Sequence, residues 1–250
     1  MHVSMNELKA ALRRCFEACG YYVGNYEDAA AMILWLEKHG LQGLDELQRV
    51  LPYIQADANK AFSQVLYEDD TSAVIDVQGR SALNCLAACV DLAHAKAINT
   101  GLATVKVLNC HNRIFILKAL TDCGRRGASL AAYWQNGSQS IREHCAAIHA
   151  GQRYPSYSEA LLSQDAALDA KQTLTIICST RINLSTALQP EQPVQQGWRY
   201  LSPEQIASHK SHSLDHGLQI APQLWEEINR IGTGVLVANS DRSRMGAGGR

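Results

Sequence analysis

The sequence predicts an α/β protein: an N-terminal helical subdomain over residues 1–58, then a mixed sheet with helices over residues 59–250. Three observations carry this reading. Residues 4–54 place apolar side chains at helical spacing; "TSAVIDVQG" alternates like a half-buried strand; and "LATVKVLN" is followed by a further helix and the strand "ASLAAYW". Signals are weakest over about residues 135–200.

The elements follow in order. Ser4 and Glu7 form a capping box before a helix that carries Leu8, Leu12, Phe16 and Cys19 inward and stops at Gly20. A second helix begins after Asn25, with Ala29, Met32, Ile33 and Leu36 on its inner face, and ends at Gly40. A third starts near Asp45 and carries Leu47, Val50, Leu51 and Ile54, with Pro52 weakening it. Ser63–Tyr67 and Ser72–Val77 read as strands, the second with Ala73, Ile75 and Val77 inward before a turn at Gly79. Leu83, Leu86, Val90, Ala93 and Ala97 make a long helix closed by Gly101. The strand "LATVKVLN", a helix over residues 114–123 and "ASLAAYW" then form a strand, helix, strand unit. Further on, "SIRE" at 140–143 reads as a helix start, "TLTIICST" at 173–180 as a strand, "LQPEQPVQQG" as a loop and "SPEQ" at 202–205 as a helix start with Pro203 well placed. Leu224, Trp225, Ile228 and Ile231 share a helical face, and "GVLVAN" reads as a short strand before a glycine-rich basic tail.

Composition narrows the function classes. With 46% hydrophobic and 19% charged residues in 250, the chain can bury an ordinary globular core. Its 23 basic and 24 acidic residues leave a net charge of -1 without long like-charge blocks, so no nucleic-acid partner is expected. The amino-terminal residues place charges at close intervals and lack an apolar run, so no signal peptide is expected there, and no segment approaches the roughly 20 apolar residues of a membrane span. A cytoplasmic protein without a membrane partner is expected. Eight cysteines without a C-x-x-C pair read as small buried thiols.

Several clusters are candidates for chemistry. Gly246, Gly248 and Gly249 resemble a phosphate loop, but no helix follows to supply the N-terminal N–H groups. His209, His212 and His216 fall on one face of a helix if the one from Ser202 extends that far, and an exposed polar face is the simpler reading; no metal site is assigned. His144 and His149 would point about 140° apart on a helix and could not act together. His39 ends a helix next to Gly40, where an imidazole either exchanges protons at a cleft or complements the helix dipole. Asn109 to Arg113 follow a presumed parallel strand at its carboxyl end, where ligands bind in open α/β sheets; the alternative is a polar turn in which Asn109 or Asn112 caps the next helix. Lys38 and Arg113 are candidate anion contacts.

Taken together, "KHGLQGL" and "AHAKAINTGLATVKVLNCHNRIF" resemble the malate/L-lactate dehydrogenase-like family of NAD(P)-dependent oxidoreductases, over about residues 6–134. That family has a Ser-His-Gly motif with an arginine four residues past the histidine; here Lys38 replaces the serine, His39 and Gly40 are kept, and Gly43 replaces the arginine. Its Asn-x-Asn-His-Phe-Gly turn matches at Asn109, with Asn112 in the histidine position and His111 one place early. Its Gly-Thr-Asn-Pro cofactor segment has no counterpart in "QNGSQSIREHCAAIHAG", so the cofactor-binding residues are unknown. The whole chain also resembles a divergent bacterial branch of these dehydrogenases, to which no activity attaches.

The resemblance implies a malate/L-lactate dehydrogenase-like fold, a homodimer, NAD(P) as cofactor, His39 and His111 as catalytic groups, and Lys38, Asn109, Asn112 and Arg113 as contacts to a small anionic metabolite. Three readings stay open. The altered motifs favour a diverged small-acid-binding or accessory protein. The alternatives are an NAD(P)H-dependent reductase of a small 2-oxo or cyclic imino acid, and a non-redox enzyme acting on an anionic metabolite.

Overall fold

The computed structural model describes residues 1–57, 62–137, 140–162, 172–184 and 198–235. Three helices open the chain, α1 (Met5–Ala18), α2 (Val23–Lys38) and α3 (Gly43–Asp57). The Ser4–Glu7 capping box forms as expected, with the Ser4 hydroxyl accepting from the Glu7 N–H and the Glu7 carboxylate accepting from the Ser4 N–H. α3 begins at Gly43 rather than near Asp45 and runs through Pro52. The expected subdomain boundary at 58/59 lies outside the described residues.

Number the strands β1 (His2–Val3), β2 (Gln64–Glu68), β3 (Ser72–Asp76), β4 (Leu102–Leu108), β5 (Ser129–Asn136), β6 (Arg142–Ile148), β7 (Ser156–Leu161), β8 (Leu174–Ser179), β9 (Arg199–Leu201) and β10 (Leu218–Gln219). Eight of them form one sheet in the order β2-β3-β4-β8-β5-β6-β7-β9, while β1 pairs with β10 separately. Among the described residues, β3 and β4 are the one parallel strand pair, and the other ladders of the large sheet are antiparallel.

The remaining helices are α4 (Ala82–Thr100), α5 (Ile116–Arg125), α6 (Pro203–His216) and α7 (Pro222–Gly232). α4 is the crossover between the parallel strands. It starts at Ser81, whose hydroxyl accepts from the Leu83 N–H, and stops at Gly101 in the left-handed conformation (φ 88°). α4 and α5 pack on the sheet, with α2 over them and α1 and α7 outside. One apolar cluster joins Phe16, Met32 and Leu47 of the first helices to Leu86, Val105, Leu120, Leu130 and Trp134. The alternation expected at β3 holds, with Ala73, Ile75 and Val77 buried.

Two sequence expectations need correction or limits. Residues 140–143 do not start a helix: Arg142–Ile148 is β6, paired on both sides by β5 and β7. The local Ser-x-x-Glu signal is overridden because a central position between two strands satisfies the whole backbone ladder and buries His144, Ala146 and Ile148 on one face. The expected strand "GVLVAN" begins in a 3-10 turn at Thr233–Val235, and its remainder, like the loop "LQPEQPVQQG" and the glycine-rich tail, lies outside the described residues.

Gly43 accounts for the close approach of α2 and α3. A Cβ there would stand 2.3 Å from the Ile33 carbonyl oxygen and 2.8 Å from the Glu37 nitrogen, both backbone atoms that cannot step aside. Gly43→Ala is therefore expected to destabilise the protein by about 2 kcal/mol through overpacking. Gly24→Ala, where nothing lies within 4 Å of the new atom, stabilises or leaves unchanged. Urea denaturation of both variants checks the contrast.

Candidate functional site

The parallel pair β3/β4 sets the place of the site. The segment after β4 lies beside the turn after β3: the Val77 N–H donates to the Leu108 carbonyl (3.1 Å), the His111 N–H to the Arg80 carbonyl (3.2 Å) and the Ala82 N–H to the His111 carbonyl (2.8 Å). Asn109 (φ 54°) and Asn112 (φ 57°) both adopt left-handed backbone, which asparagine tolerates better than most residues. The two asparagines thus turn the chain twice within four residues. The Asn109 amide is held by Asp76, donating to both carboxylate oxygens at 2.9 Å.

Arg113 follows, buried at 4% exposure. Its guanidinium donates to the Cys110 carbonyl (3.1 Å), to the Gln135 carbonyl (2.7 Å) and to the Asn136 side-chain oxygen. These bonds tie the turn to the end of β5. Next to the turn opens a cleft of about 790 Å³, lined from α3 and the residues before it by Gly40, Gln42, Glu46, Arg49 and Tyr53. His111, Asn112 and Arg113 line it from the turn, Asn136, His144, Tyr157 and Glu159 from the sheet, and Arg199 from β9. Three guanidiniums among these lining residues face two carboxylates.

The structure brings His111, Asn112 and Arg113 together in this cleft, with the His111 ring stacked on Tyr53 at 6.3 Å. Asn112 is the cap residue just before the 3-10 turn Arg113–Phe115 but makes no side-chain cap bond; its side chain is bonded to Glu46. Burial pushes the Glu46 carboxyl up, opposed by Arg49 and Asn112. Lys38, His39 and Asn109 do not line the cleft. The His39 ring is buried between Trp35 (centroids 4.4 Å) and Tyr154 (5.3 Å), and its Nδ1 donates to the Trp35 carbonyl at 2.6 Å. It closes α2, and its neighbour Gly40 reaches the cleft edge. α6 extends to His216, so the three histidines share its span, and the His209 ring packs on Gly40, 3.0 Å from where a Cβ would stand.

His144 is the residue that sequence reasoning missed. On a strand rather than a helix, it sits in register between Trp134 of β5 and Glu159 of β7. Its ring stacks on Trp134 at 5.0 Å and 8°, and its Nδ1 lies 2.8 Å from the Tyr157 hydroxyl. Glu159 Oε2 stands 3.4 Å from that hydroxyl and 3.8 Å from Nδ1, a carboxylate that draws the hydroxyl proton to itself and favours a proton on Nδ1; we assign the Nδ1–H tautomer on this ground, which leaves the lone pair on Nε2. Nε2 is buried with no hydrogen-bond partner among the described residues. Burial, then Arg113 and Arg142, hold the imidazole down at about 4. Burial also pushes the Tyr157 hydroxyl up, keeping it a neutral donor. His149 is separate, its Nδ1 paired with the Ser129 hydroxyl at 3.1 Å. The sequence carries no clear local signal for His144, because Cys145 and Ala147 on the other face of the strand are apolar too and leave no polar alternation to read.

Two outcomes follow from this geometry. Arg113→Met strands one buried and two half-buried acceptors and is expected to cost about 3 kcal/mol in urea denaturation. His144, neutral when folded and free to protonate when unfolded, contributes stability that is fully present above pH 6.5 and is lost as the pH falls to about 4. The difference in unfolding free energy between the wild type and His144→Gln should therefore shrink by about 3 kcal/mol between pH 7 and pH 4; a pH-independent difference contradicts the assignment.

Comparisons with known proteins agree on architecture. Residues 3–95 match the family described as Protein of unknown function (DUF3726). No curated protein matches the chain in sequence. Among solved structures, malate dehydrogenase from Entamoeba histolytica superposes with a TM-score of 0.68 at 10% identity, covering 93% of this chain and 97% of that one. Malate dehydrogenase from Pyrococcus horikoshii OT3 gives 0.66 at 12% identity, covering 96% and 97%. The delta1-piperideine-2-carboxylate reductase from Pseudomonas syringae pathovar tomato gives 0.59 at 15% identity, covering 92% and 99%. The fold is that of the malate/lactate dehydrogenase-like structures.

Proposed function

We propose that the protein binds a small carboxylate-bearing metabolite in the cleft beside residues 111–113, as a diverged binding or accessory member of the dehydrogenase-like fold. The observation that carries this is the surplus of guanidinium over carboxylate groups around a cleft of metabolite size, with Arg113 buried in its wall. His111 and Asn112 supply further polar contacts. Gly43, in the place where the resembling family carries its substrate arginine, has no room for a side chain, so Arg113 and the exposed Arg199 are the groups left to meet the anion.

The described residues of the cleft do not fit a nicotinamide dinucleotide well. A diphosphate asks for free backbone N–H groups at a helix start. At α3, the helix that begins at this cleft, the Leu44 N–H donates to the Glu37 carboxylate at 2.9 Å, which already caps that end. The Arg49 guanidinium is bonded to Glu46. The second reading, an NAD(P)H-dependent reductase of a small 2-oxo or cyclic imino acid, draws on the fold shared with a malate dehydrogenase and with a delta1-piperideine-2-carboxylate reductase. In it His39 and His111 would handle protons.

The dimer belongs to the same proposal. The edge strand β2 exposes Val65, Leu66 and Tyr67, each more than half accessible, and a second copy covering them would remove an apolar edge from water. A cytoplasmic location is supported by eight cysteines, none in a disulfide. No helix among the described residues is long and apolar enough to cross a membrane.

Calorimetric titration with oxalate, a small dianion, tests the reading. Binding on the order of millimolar or tighter, weakened about tenfold in Arg199→Ala, is expected for loss of one charge-assisted contact. Absence of oxalate binding contradicts it. Titration with NADH and NADPH followed by nicotinamide fluorescence should show no saturation at millimolar concentration; saturable enhancement transfers the case to the reductase. Light scattering is expected to give twice the chain mass of 27.4 kDa.

A further inference from the structure

His144 stands in the cleft wall with one nitrogen engaged and the other not. Its exposure is 6%, so Nε2 has lost its water as well as lacking a partner among the described residues, a state that costs about 1–3 kcal/mol unless something binds there. The rest of its surroundings suit a cation. Tyr157 accepts from Nδ1–H, Glu159 Oε2 lies 3.8 Å from Nδ1, and the Trp134 face stacks against the ring. What opposes a proton is burial and two arginines, Arg113 from the turn and Arg142 from its own strand, of which Arg142 is itself 3.4 Å from Glu159.

We propose that anion binding in this cleft is coupled to protonation of His144: the carboxylate that meets Arg113 brings one solvent proton onto Nε2, and the resulting Nε2–H donates to the bound oxygen. This rests on the anion-binding reading above and deepens it. The balance is simple. A neutral imidazole, a proton from water and a carboxylate become an imidazolium–carboxylate pair, with one N–H bond formed and nothing oxidised or reduced. The anion removes the obstacle, since its charge offsets the field of the arginines that kept the ring neutral. Tyr157 and Glu159 are positioning residues: they hold the ring so that Nε2, and not Nδ1, takes the proton. A ligand therefore needs an acceptor oxygen at Nε2 in addition to the group on the arginine, which selects small dicarboxylates and similar oxyanions over monoanions that carry one acceptor group.

Other groups around the cleft also titrate or carry charge. From α3 these are Glu46 and Arg49, from the turn His111, and from β9 Arg199. Glu46 and His111 could each exchange a proton on binding, so the test separates them from His144.

Oxalate titrations of the full chain at pH 6 in two buffers of different ionisation enthalpy give the protons taken up per anion bound. Close to one proton is expected for the wild type and for His111→Gln, and close to none for His144→Gln. Affinity should rise about tenfold per pH unit between pH 7 and pH 5 in the wild type. Should His144→Gln fold poorly, the imidazole resonances of His144 in the wild type serve instead, and saturating oxalate should move their titration upward by at least about three units, from about 4 to about 7 or above. Oxalate binding without proton uptake, uptake that survives in His144→Gln, or an unmoved His144 titration overturns this inference and leaves the anion-binding reading standing. No oxalate binding at any pH overturns both.

Discussion

The candidate site depends on one buried guanidinium. Arg113 joins the turn that leaves β4 to the last residues of β5, and between these two strands the sheet places β8. Turn and strand end thus face each other across an intervening strand, with no backbone ladder directly between them. The side chain of Arg113 spans that gap and satisfies the buried Cys110 carbonyl together with the half-buried Gln135 carbonyl and Asn136 amide oxygen. A lysine could not make these bonds together, because its single ammonium lacks the planar fork.

That placement has electrostatic consequences. A buried positive charge facing a cleft lowers the cost of bringing in an anion and raises the cost of a second cation. His144, close by on β6, is held neutral by burial and by this arginine, while Tyr157 and Glu159 keep its Nδ1 engaged. Glu46 on the opposite wall is pushed toward its neutral form by burial. The cleft wall thus sets a buried positive charge beside two groups, His144 and Glu46, that burial pushes toward their neutral forms.

Much of the fold was legible from local signals because those signals agreed with the tertiary outcome. The capping boxes at Ser4 and Ser202, the left-handed stop at Gly101 and the alternation of Ala73, Ile75 and Val77 are each local and each realised. At residues 140–148 they disagreed: a short Ser-x-x-Glu signal competed with two neighbouring strands, which nothing in the local sequence announces, and the strands won. This error hid His144, since its partners Trp134, Tyr157 and Glu159 converge on it only through sheet register. The sequence places the segment 109–113 at a strand end, where the structure has a cleft lined by residues 111–113, and its two asparagines serve backbone conformation. His39 was a matter of two readings in the sequence; its ring lies against Trp35 and Tyr154, away from the cleft lining. That Gly43 has no room for a side chain is a fact of the packing of α2 on α3, which the sequence does not reveal.

The central claim is that the wall formed by Arg113 and His144 receives an anion. A crystal structure of the protein grown with oxalate tests it most directly. The account predicts density for the dianion in the cleft, with one oxygen within hydrogen-bonding distance of the Arg113 guanidinium and another within reach of His144 Nε2, and with the turn 109–113 unchanged. Oxalate bound elsewhere on the chain, or a cleft whose turn has moved so that Arg113 no longer reaches Gln135, would contradict it.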